Sequence, residues 1–369
     1  MMTHPLANLS LDEAIAMQFR YVDVVTRHFN GAEILQAGDY GVVPGLLRPN
    51  FTAKVEAVLA EFFDAEDATL VRGAGTGAIR SACMTVLAPG SSVIIHDAPV
   101  YTTSAVTFRA MGLDLQRVDF NDLDAMERAV ADSPGAAVYV QHSRQLLADR
   151  YDLGALIVTS RRARPTVTIL VDDNYTVMHV PRIGTQLGAD LSMFSMFKLL
   201  GPIGIGAVVG REALIGRIRE DAYSGGTKVQ GTEAMEVLKS IVVTPVMLAV
   251  AGKVVAEVVE RLNRGEIPGI AHAYLSNHQE RTALVELEEP IGTAVVEAAG
   301  ELGASYYPVG SASRYEIGLL VYRVSRALME ADPALASRFI RVNPFRAGPD
   351  TVLRVLRESI ESARSKGAQ

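Results

Sequence analysis

The sequence predicts an α/β protein with a large domain, in which helices flank a mainly parallel sheet, and a smaller α+β C-terminal domain. Short apolar strands alternate with amphipathic helices between residues 50 and 210. Repeated β-α-β order is typical of a parallel sheet with helices on both faces. Residues 283–325 instead alternate apolar strands with Gly, Pro and Ser turns, before an amphipathic helical pattern at residues 349–365.

The length of the chain supports two domains. It has 369 residues, of which 49% are hydrophobic and 21% are charged, and a chain of this size can bury more than one core. A helical pattern over residues 233–260 is expected to connect the domains, with a break at Thr244-Pro245. We expect an N-terminal helix and arm over residues 1–45, a large domain over 46–250 and a small domain over 251–369.

Composition and charge exclude several functions. A formal net charge of −7 without a basic cluster argues against a nucleic-acid partner, because concentrated Lys and Arg neutralise phosphates. No apolar run has the length of a membrane span, and the N-terminus lacks the basic-then-apolar order of a signal peptide. We therefore expect a cytoplasmic protein without a membrane partner. The single cysteine, Cys83, excludes an intrachain disulfide and a multi-cysteine metal site, and no metal is expected.

Two helices and a loop precede the first strand. Residues 10–29 predict an amphipathic helix with Ser10 as its N-cap, and residues 50–63 predict a second helix. Residues 38–45 are rich in glycine and read as an extended loop. Loops of this kind often carry function, so Tyr40 is a candidate substrate-binding residue.

A glycine-rich turn follows a short apolar strand at residues 68–71. Gly75, Thr76 and Gly77 stand where this strand passes into a helix, and glycines there let backbone N–H groups approach an anion. The turn lacks the Gly-x-x-x-x-Gly-Lys-Ser/Thr order of nucleoside triphosphate sites. A dinucleotide pattern is met in a looser form, with Asp97 near the ribose-binding position, so a dinucleotide oxidoreductase stays an alternative.

A carboxylate and a lysine follow two later apolar runs. Residues 166–171 read as a buried strand that leads to Asp172, and strand carboxyl ends bind ligands in open α/β sheets. The run at residues 191–197 leads to Lys198, 26 residues after Asp172. Apolar neighbours are expected to desolvate the lysine amine, which lowers its pKa and makes it a better nucleophile. A Schiff-base lysine together with a carboxylate for a pyridinium nitrogen indicates pyridoxal phosphate.

Residues at two other predicted strand ends suit the same cofactor. Tyr101 lies just beyond a neighbouring strand, and an aromatic residue there can stack on a planar heteroaromatic ring. Gln141, His142 and Ser143 follow another strand. Gln141 is our candidate among them for a hydrogen bond to the cofactor.

Together these residues resemble a fold type I pyridoxal-phosphate enzyme of the aspartate-aminotransferase superfamily, and the resemblance spans most of the chain. In that superfamily a phosphate-binding glycine turn, a stacking aromatic residue, a strand-end aspartate and a Schiff-base lysine follow one another. The same order occurs here in Gly75–Gly77, Tyr101, Asp172 and Lys198. The resemblance implies the pyridoxal-phosphate-dependent transferase-like fold and pyridoxal 5′-phosphate as cofactor.

The resemblance implies further cofactor-binding residues. Ser195, three residues before the lysine, matches a phosphate-binding position of transsulfuration-type members, and Asn174 is included as a cofactor-binding residue. Arg48 resembles the arginine with which cystathionine lyases and synthases reach the phosphate across the dimer interface. Thr232 is similar to the class V aminotransferase threonine that binds the partner subunit's phosphate. The resemblance therefore implies a homodimer with shared active sites.

The carboxylate of an amino-acid substrate needs a cation, and arginine can bind it through two hydrogen bonds. Arg341 resembles the substrate-binding arginine near the C-terminus of superfamily members, and Arg323 is the alternative. Residues 141–144 resemble the corresponding element of a methionine γ-lyase-like group. Cysteine desulfurases need a mobile nucleophilic cysteine, whereas Cys83 lies in a predicted helix and is expected to be buried.

The resulting hypothesis is a pyridoxal-phosphate enzyme that acts on an amino acid. Lys198, Asp172 and Tyr101 are the predicted catalytic residues, with Lys198 as the base for the α-proton. The segment around Arg48 favours C–S lyase or transsulfuration chemistry by β- or γ-elimination. A class V-like aminotransferase is the alternative because both reactions begin with the same deprotonation. A cofactor-binding protein with altered catalysis is a further alternative.

Overall fold

The computed structural model describes residues 2–276, 280–305, 313–325, 328–329 and 332–367. The chain forms two compact units. The large unit comprises residues 12–143 and 151–245, and the small unit comprises residues 1–11, 144–150 and 246–369, in their described parts. The three predicted parts, with bounds at residues 45 and 250, stay a prediction.

Strands and helices alternate through the large unit, as the sequence predicts. The strands are β1 Asp67–Arg72, β2 Ser92–His96, β3 Asp114–Val118, β4 Ala137–Gln141, β5 Ile169–Asp172, β6 Leu191–Ser195 and β7 Ile205–Gly210. The helices are α1 Leu11–His28, α2 Gly31–Ile34, α3 Asn50–Phe62, α4 Ala74–Val86, α5 Thr102–Ala110, α6 Leu123–Asp132, α7 Leu153–Ala163, α8 Glu212–Asp221 and α9 Gly231–Ile241.

The strands of the large unit form one sheet in the order β1-β7-β6-β5-β4-β2-β3. Neighbouring strands from β6 to β3 pair in parallel, whereas β7 is antiparallel to both of its neighbours. The parallel strands therefore end at one edge, where Gln141, Asp172 and Ser195 are terminal residues of β4, β5 and β6. The predicted mainly parallel sheet and transferase-like fold are confirmed.

Apolar side chains cover both faces of this sheet. Ile169 and Val171 of β5 belong to one buried cluster, and Leu170 belongs to another. Successive side chains of a strand point to opposite faces, so β5 is apolar on both. This explains why the sequence of β5 shows an apolar run without alternation.

Two predicted strands differ in extent from the observed ones. The strand predicted over residues 166–171 is instead Ile169–Asp172, because only these residues pair with β4. The apolar run at residues 191–197 leaves the sheet after Ser195. The chain then tightens into a 3-10 turn, Phe197–Leu199.

The small unit contains a four-stranded antiparallel sheet in the order β10-β11-β9-β8. Its strands are β8 Ile270–Ser276, β9 Thr282–Leu287, β10 Leu320–Arg323 and β11 Phe339–Asn343. The described helices that follow are α10 Thr244–Asn263, α11 Gly292–Glu301, α12 Leu335–Arg338 and α13 Pro349–Gly367. The break predicted at Thr244-Pro245 lies instead at residues 242–243, so that Pro245 occupies the first turn of α10.

Two kinds of feature are absent from the part of the chain that the structure describes. No single helix there has the length and apolar character of a membrane span; only the consecutive segments Gly225–Ile241 and Thr244–Asn263, taken together, meet those criteria. The same residues contain no cluster of three or more His, Cys, Asp and Glu side chains that could hold a metal ion.

Cys83 lies in α4 with a fully buried side chain, which confirms the burial predicted for it. Burial, together with the nearby Asp172 carboxylate, raises the pKa of the Cys83 thiol to about 12. Because the thiolate is the reactive form, a disulfide reagent near pH 8 should modify the folded protein roughly 10²-fold or more slowly than the unfolded chain. Release of the reagent's chromophore measures both rates.

The unfolded chain in guanidinium chloride is the control for this measurement and should react at one thiol per chain. Rapid stoichiometric labelling of the folded protein would contradict the burial of Cys83. It would also mean that Cys83 is reactive enough to form a persulfide.

Candidate active site

The parallel pairing of β4 and β5 places two predicted cofactor-binding residues side by side. Gln141 and Asp172 are register partners at the ends of these strands. The backbone N–H of His142 donates a hydrogen bond of 3.0 Å to the Asp172 carbonyl. Ser195 is buried at the end of β6, the strand that pairs with β5 on its other side. The predicted strand-end residues therefore share one sheet edge.

Asp172 is a buried carboxylate surrounded by hydrogen-bond donors. Its Oδ1 accepts from the Asn174 backbone N–H at 3.0 Å and from the Asn174 side-chain amide at 2.7 Å. Its Oδ2 accepts from the Tyr139 hydroxyl at 3.1 Å. Burial raises the pKa of Asp172, and the hydrogen bonds from Asn174, the charge of Lys198 and the Tyr139 hydroxyl oppose that rise. The ionised form therefore depends on these partners.

Lys198 lies against an aromatic wall. It is the central residue of the 3-10 turn that follows β6. Its Nζ is 3.3 Å from the centre of the Tyr175 ring and 6.0 Å from the centre of the Tyr101 ring. The two tyrosine hydroxyls are 3.0 Å apart, and their rings pack edge to face. Because aromatic faces attract cations, the two tyrosines hold the Lys198 side chain in position.

The glycine turn joins β1 to α4, and at Gly75 a neighbouring side chain approaches its backbone closely. Gly73 is the N-cap of α4 with a φ of 97°, which favours glycine. Gly75, Thr76 and Gly77 occupy the first turn of the helix. A Cβ at Gly75 would lie 2.0 Å from the Asn174 Oδ1. The N-terminus of α4, which favours anions, thus lies beside the amide that binds the strand-end carboxylate.

The residues at this edge fit pyridoxal phosphate. The Asn174 Oδ1 is buried without a hydrogen-bond partner among the described residues, which leaves an acceptor beside Gly75 for a ligand's donor. Lys198 offers an amine for an aldehyde, and Asp172 offers an acceptor for a ring nitrogen. The first turn of α4 offers N–H groups for a phosphate.

Three other predicted residues lie elsewhere in the large unit. Thr232 is in the first turn of α9, where a Cβ at Gly38 would lie 2.7 Å from the Thr232 backbone nitrogen. Arg48 forms an ion pair with Glu56, and Tyr40 is 75% exposed. Within one chain, Arg48 and Tyr40 are not brought to the edge that carries the lysine. Their roles, and that of Thr232, stay predictions.

A cavity of about 650 Å³ opens beside Arg48. Its charged lining residues are Arg48, Glu56, Arg72, Arg219, Asp221 and Lys228. Burial raises the pKa of Glu56, and the charges of Arg48 and Arg219 oppose this rise. Burial lowers the pKa of Lys228. The cavity is therefore a mixed-charge environment in which buried groups of both signs stabilise one another.

The small unit holds both candidate substrate arginines. Arg341 is buried on β11, and its guanidinium lies 4.2 Å from the centre of the Tyr322 ring. The Arg341 Nε donates a hydrogen bond of 3.0 Å to the Arg323 carbonyl. The Arg323 side chain is exposed on β10. Arg341 is thus the more firmly positioned of the two, and its role stays a prediction.

Two tyrosines and a buried His–Asp hydrogen bond at this edge were not among the predicted features. Tyr139 lies two residues before Gln141 on β4, so strand alternation places both on one face; this signal could have identified it. Tyr175 lies in a turn, where no periodicity indicates its direction. His142 Nδ1 and the Asp173 Oδ1 are 2.7 Å apart, and both side chains are buried. Neither residue's type reveals that pairing from the sequence alone.

Comparisons with known proteins identify the family of the chain. A family profile described as aminotransferase class-V matches residues 50–263, and one described as YhfS-like, C-terminal domain matches residues 256–356. The chain is 48% identical to the uncharacterized protein YhfS of Escherichia coli (strain K12), over 98% of this chain and 100% of that protein. It is 28% identical to L-methionine gamma-lyase of Pseudomonas putida, over 64% of this chain and 61% of that enzyme.

Solved structures give the same result. The crystal structure of the pyridoxal-5′-phosphate dependent protein YhfS from Escherichia coli has a TM-score of 0.95 at 48% identity, covering 98% of this chain and 100% of that one. Apo CalE6, a methionine gamma lyase from Micromonospora echinospora, has a TM-score of 0.72 at 16% identity, covering 93% and 98%, and shares the fold. The predicted cofactor, pyridoxal phosphate, is confirmed. The chain therefore belongs to the class-V aminotransferase family of fold type I pyridoxal-phosphate enzymes.

Proposed function

We propose that this enzyme is a lyase that eliminates a β- or γ-substituent, such as a thiol, from an amino acid. The observation that carries the proposal is the meeting of Asp172 and Lys198 at one sheet edge, with the Lys198 Nζ 3.3 Å from the centre of the Tyr175 ring. An acceptor for the ring nitrogen and an amine for the aldehyde are what this chemistry requires. The 28% identity to L-methionine gamma-lyase supports elimination as the outcome.

Each residue of the site has a separate role in the proposed reaction. Bound pyridoxal phosphate supplies an aldehyde that condenses with amines and a ring that withdraws electrons from the substrate. Lys198 would hold the cofactor covalently through its Nζ and, when free, would take the α-proton onto the same atom. Asp172 would favour the protonated form of the ring nitrogen, and Tyr101 would offer an aromatic face to the ring. The first turn of α4 binds the phosphate.

Arg341 is the proposed partner of the substrate carboxylate. The contact with the Tyr322 ring and the hydrogen bond to the Arg323 carbonyl restrain its guanidinium. A fixed planar fork binds a carboxylate with less loss of side-chain entropy than a mobile one. The exposed side chain of Arg323 lacks this advantage.

An aminotransferase is the second candidate. The class-V aminotransferase profile matches residues 50–263, which include Asp172 and Lys198. Both reactions begin when Lys198 removes the α-proton. They differ in whether the substrate then loses a substituent or the cofactor keeps the amino group.

Reduction with borohydride tests the covalent role of Lys198. After addition of pyridoxal phosphate, reduction should fix one cofactor per chain on the peptide that contains Lys198. Lys198→Ala should abolish this labelling and lower turnover about 10²- to 10⁴-fold, because it removes both the covalent anchor and the base. Peptide mass spectrometry and steady-state kinetics measure the two effects.

Lys228→Ala is the control, because Lys228 is a buried lysine of the same unit, whereas Lys198 is half-buried. It should keep the label and the activity. Cofactor fixed on Lys228 instead of Lys198, or no visible absorbance after cofactor addition, would contradict the proposed site.

Ammonia release distinguishes the two reactions. In elimination, the leaving group departs with the electrons of its bond to carbon and takes up a proton, and water converts the remaining product to a 2-oxo acid and ammonia. Substrates with a leaving group at Cβ or Cγ should therefore give equal amounts of 2-oxo acid and ammonia without an added acceptor. An enzymatic ammonia assay measures this. Stoichiometric pyridoxamine phosphate without ammonia would instead establish the aminotransferase.

A homodimer with shared sites is the third part of the proposal, and complementation tests it. If Arg48 serves the neighbouring subunit's phosphate, a hybrid of one Lys198→Ala chain and one Arg48→Ala chain contains one wholly wild-type site. Random mixing should then restore roughly a quarter of wild-type activity, since about half of the dimers are hybrids with one intact site. Each variant alone should stay inactive or nearly so. Absence of recovery despite exchange of subunits would show that Arg48 does not act across an interface.

A further inference from the structure

We propose that Tyr139, supported by Ser104, is a positioning residue that keeps one oxygen of Asp172 as a charged acceptor for the cofactor's ring nitrogen. The inference rests on the proposed function, because it assigns Asp172 to that nitrogen. Neither Tyr139 nor Ser104 was among the sequence-predicted site residues.

The hydrogen bonds of Asp172 identify the oxygen concerned. A carboxylate has about four acceptor positions, two on each oxygen. The two donors from Asn174 fill both positions of Oδ1, whereas the Tyr139 hydroxyl occupies one position of Oδ2 at 3.1 Å. Oδ2 therefore keeps one position for a ring N–H, and its orientation and charge depend on Tyr139.

Tyr139 is held so that its hydroxyl can act only as a donor toward Asp172. Its side chain is buried on β4, and its ring packs edge to face on Phe108 with centres 4.9 Å apart. The Ser104 hydroxyl lies 3.1 Å from the Tyr139 hydroxyl. Since Tyr139 donates its proton to Asp172, Ser104 donates to Tyr139, and each bond polarises the next.

The protonation of Tyr139 is compatible with this role over the working pH range. Burial, followed by the Asp172 charge, raises the pKa of Tyr139 well above its ordinary value. The phenol therefore stays protonated. Hydrogen bonds to a charged acceptor favour the charged form, so the hydroxyl opposes transfer of the ring proton to Asp172.

Removal of the hydroxyl should weaken the cofactor ring as an electron sink. In Tyr139→Phe, a proton shared with the ring nitrogen moves toward Asp172, and the ring becomes less positive. The nitrogen that would join Lys198 to the cofactor then holds its proton more tightly. The pH midpoint of the cofactor's visible absorbance should therefore move to higher pH. Turnover should fall about 10- to 100-fold with KM little changed, because the loss affects α-proton removal more than binding.

Tyr21→Phe is a closely matched control. Tyr21 is a buried tyrosine of the large unit, packed edge to face on Phe62 at 5.1 Å, and its hydroxyl donates a hydrogen bond of 3.0 Å to the Leu238 carbonyl. Removal of the Tyr21 hydroxyl should lower thermal stability about as much as removal of the Tyr139 hydroxyl does. The absorbance midpoint and turnover should stay those of the wild type.

Ser104→Ala provides a second, smaller perturbation. It should move the absorbance midpoint in the same direction as Tyr139→Phe by a smaller amount, because the donor to Tyr139 is lost while Tyr139 is kept. Thermal unfolding shows whether Tyr139→Phe is folded. If it is not, Ser104→Ala alone tests the inference.

The possible results separate this inference from the proposed function. Wild type that fails to fix cofactor on Lys198 would overturn both. Wild type that fixes cofactor, with an unshifted midpoint in Tyr139→Phe and Ser104→Ala or an equal shift in Tyr21→Phe, would overturn only the role of Tyr139. A shift in the two site variants alone supports it.

Discussion

The cost of holding a charge on Asp172 is the constraint on which the arrangement of the large unit depends. The three preceding residues of β5 are apolar and buried on both faces of the sheet. A carboxylate at the end of such a strand loses most of its hydration, and this costs several kcal/mol unless other groups replace the water. The replacement comes from the turn after β5, through Asn174, and from β4, through Tyr139.

The position of Lys198 follows from the same sheet. Because β6 pairs in parallel with β5, the lysine turn after β6 lies at the same edge as Asp172. Between the lysine turn and β7 the chain passes the glycine turn, where the Gly204 carbonyl accepts hydrogen bonds from the Gly73 N–H at 2.7 Å and the Ala74 N–H at 3.0 Å. The segment that follows the lysine turn is therefore hydrogen-bonded to the start of α4, and β7 begins beside the end of β1.

The sequence predicted the groups at this edge better than it predicted their partners. Asp172, Lys198 and the glycine turn stand at the junctions of apolar runs, and such junctions are visible in a single sequence. The contact between Tyr139 and Asp172 depends on which strand pairs with β5 and in what register. Long-range pairing of this kind leaves no local pattern. For the same reason, the aromatic wall at Lys198 was only half predicted, through Tyr101.

Arg48 was predicted to bind a phosphate, but in one chain it forms an ion pair with the buried Glu56. In one chain Arg48 is a counter-ion of this buried carboxylate, yet Glu56 also accepts hydrogen bonds from the Leu70 N–H at 2.8 Å and the Thr69 hydroxyl at 3.1 Å. Arg219 lies 3.5 Å from the same carboxylate. Release of Arg48 would leave Glu56 with one cation and two neutral donors, and a buried charge that keeps such partners escapes the full penalty of isolation. If Arg48 serves a neighbouring phosphate, as proposed, the partners that stay with Glu56 set the free-energy cost of releasing it.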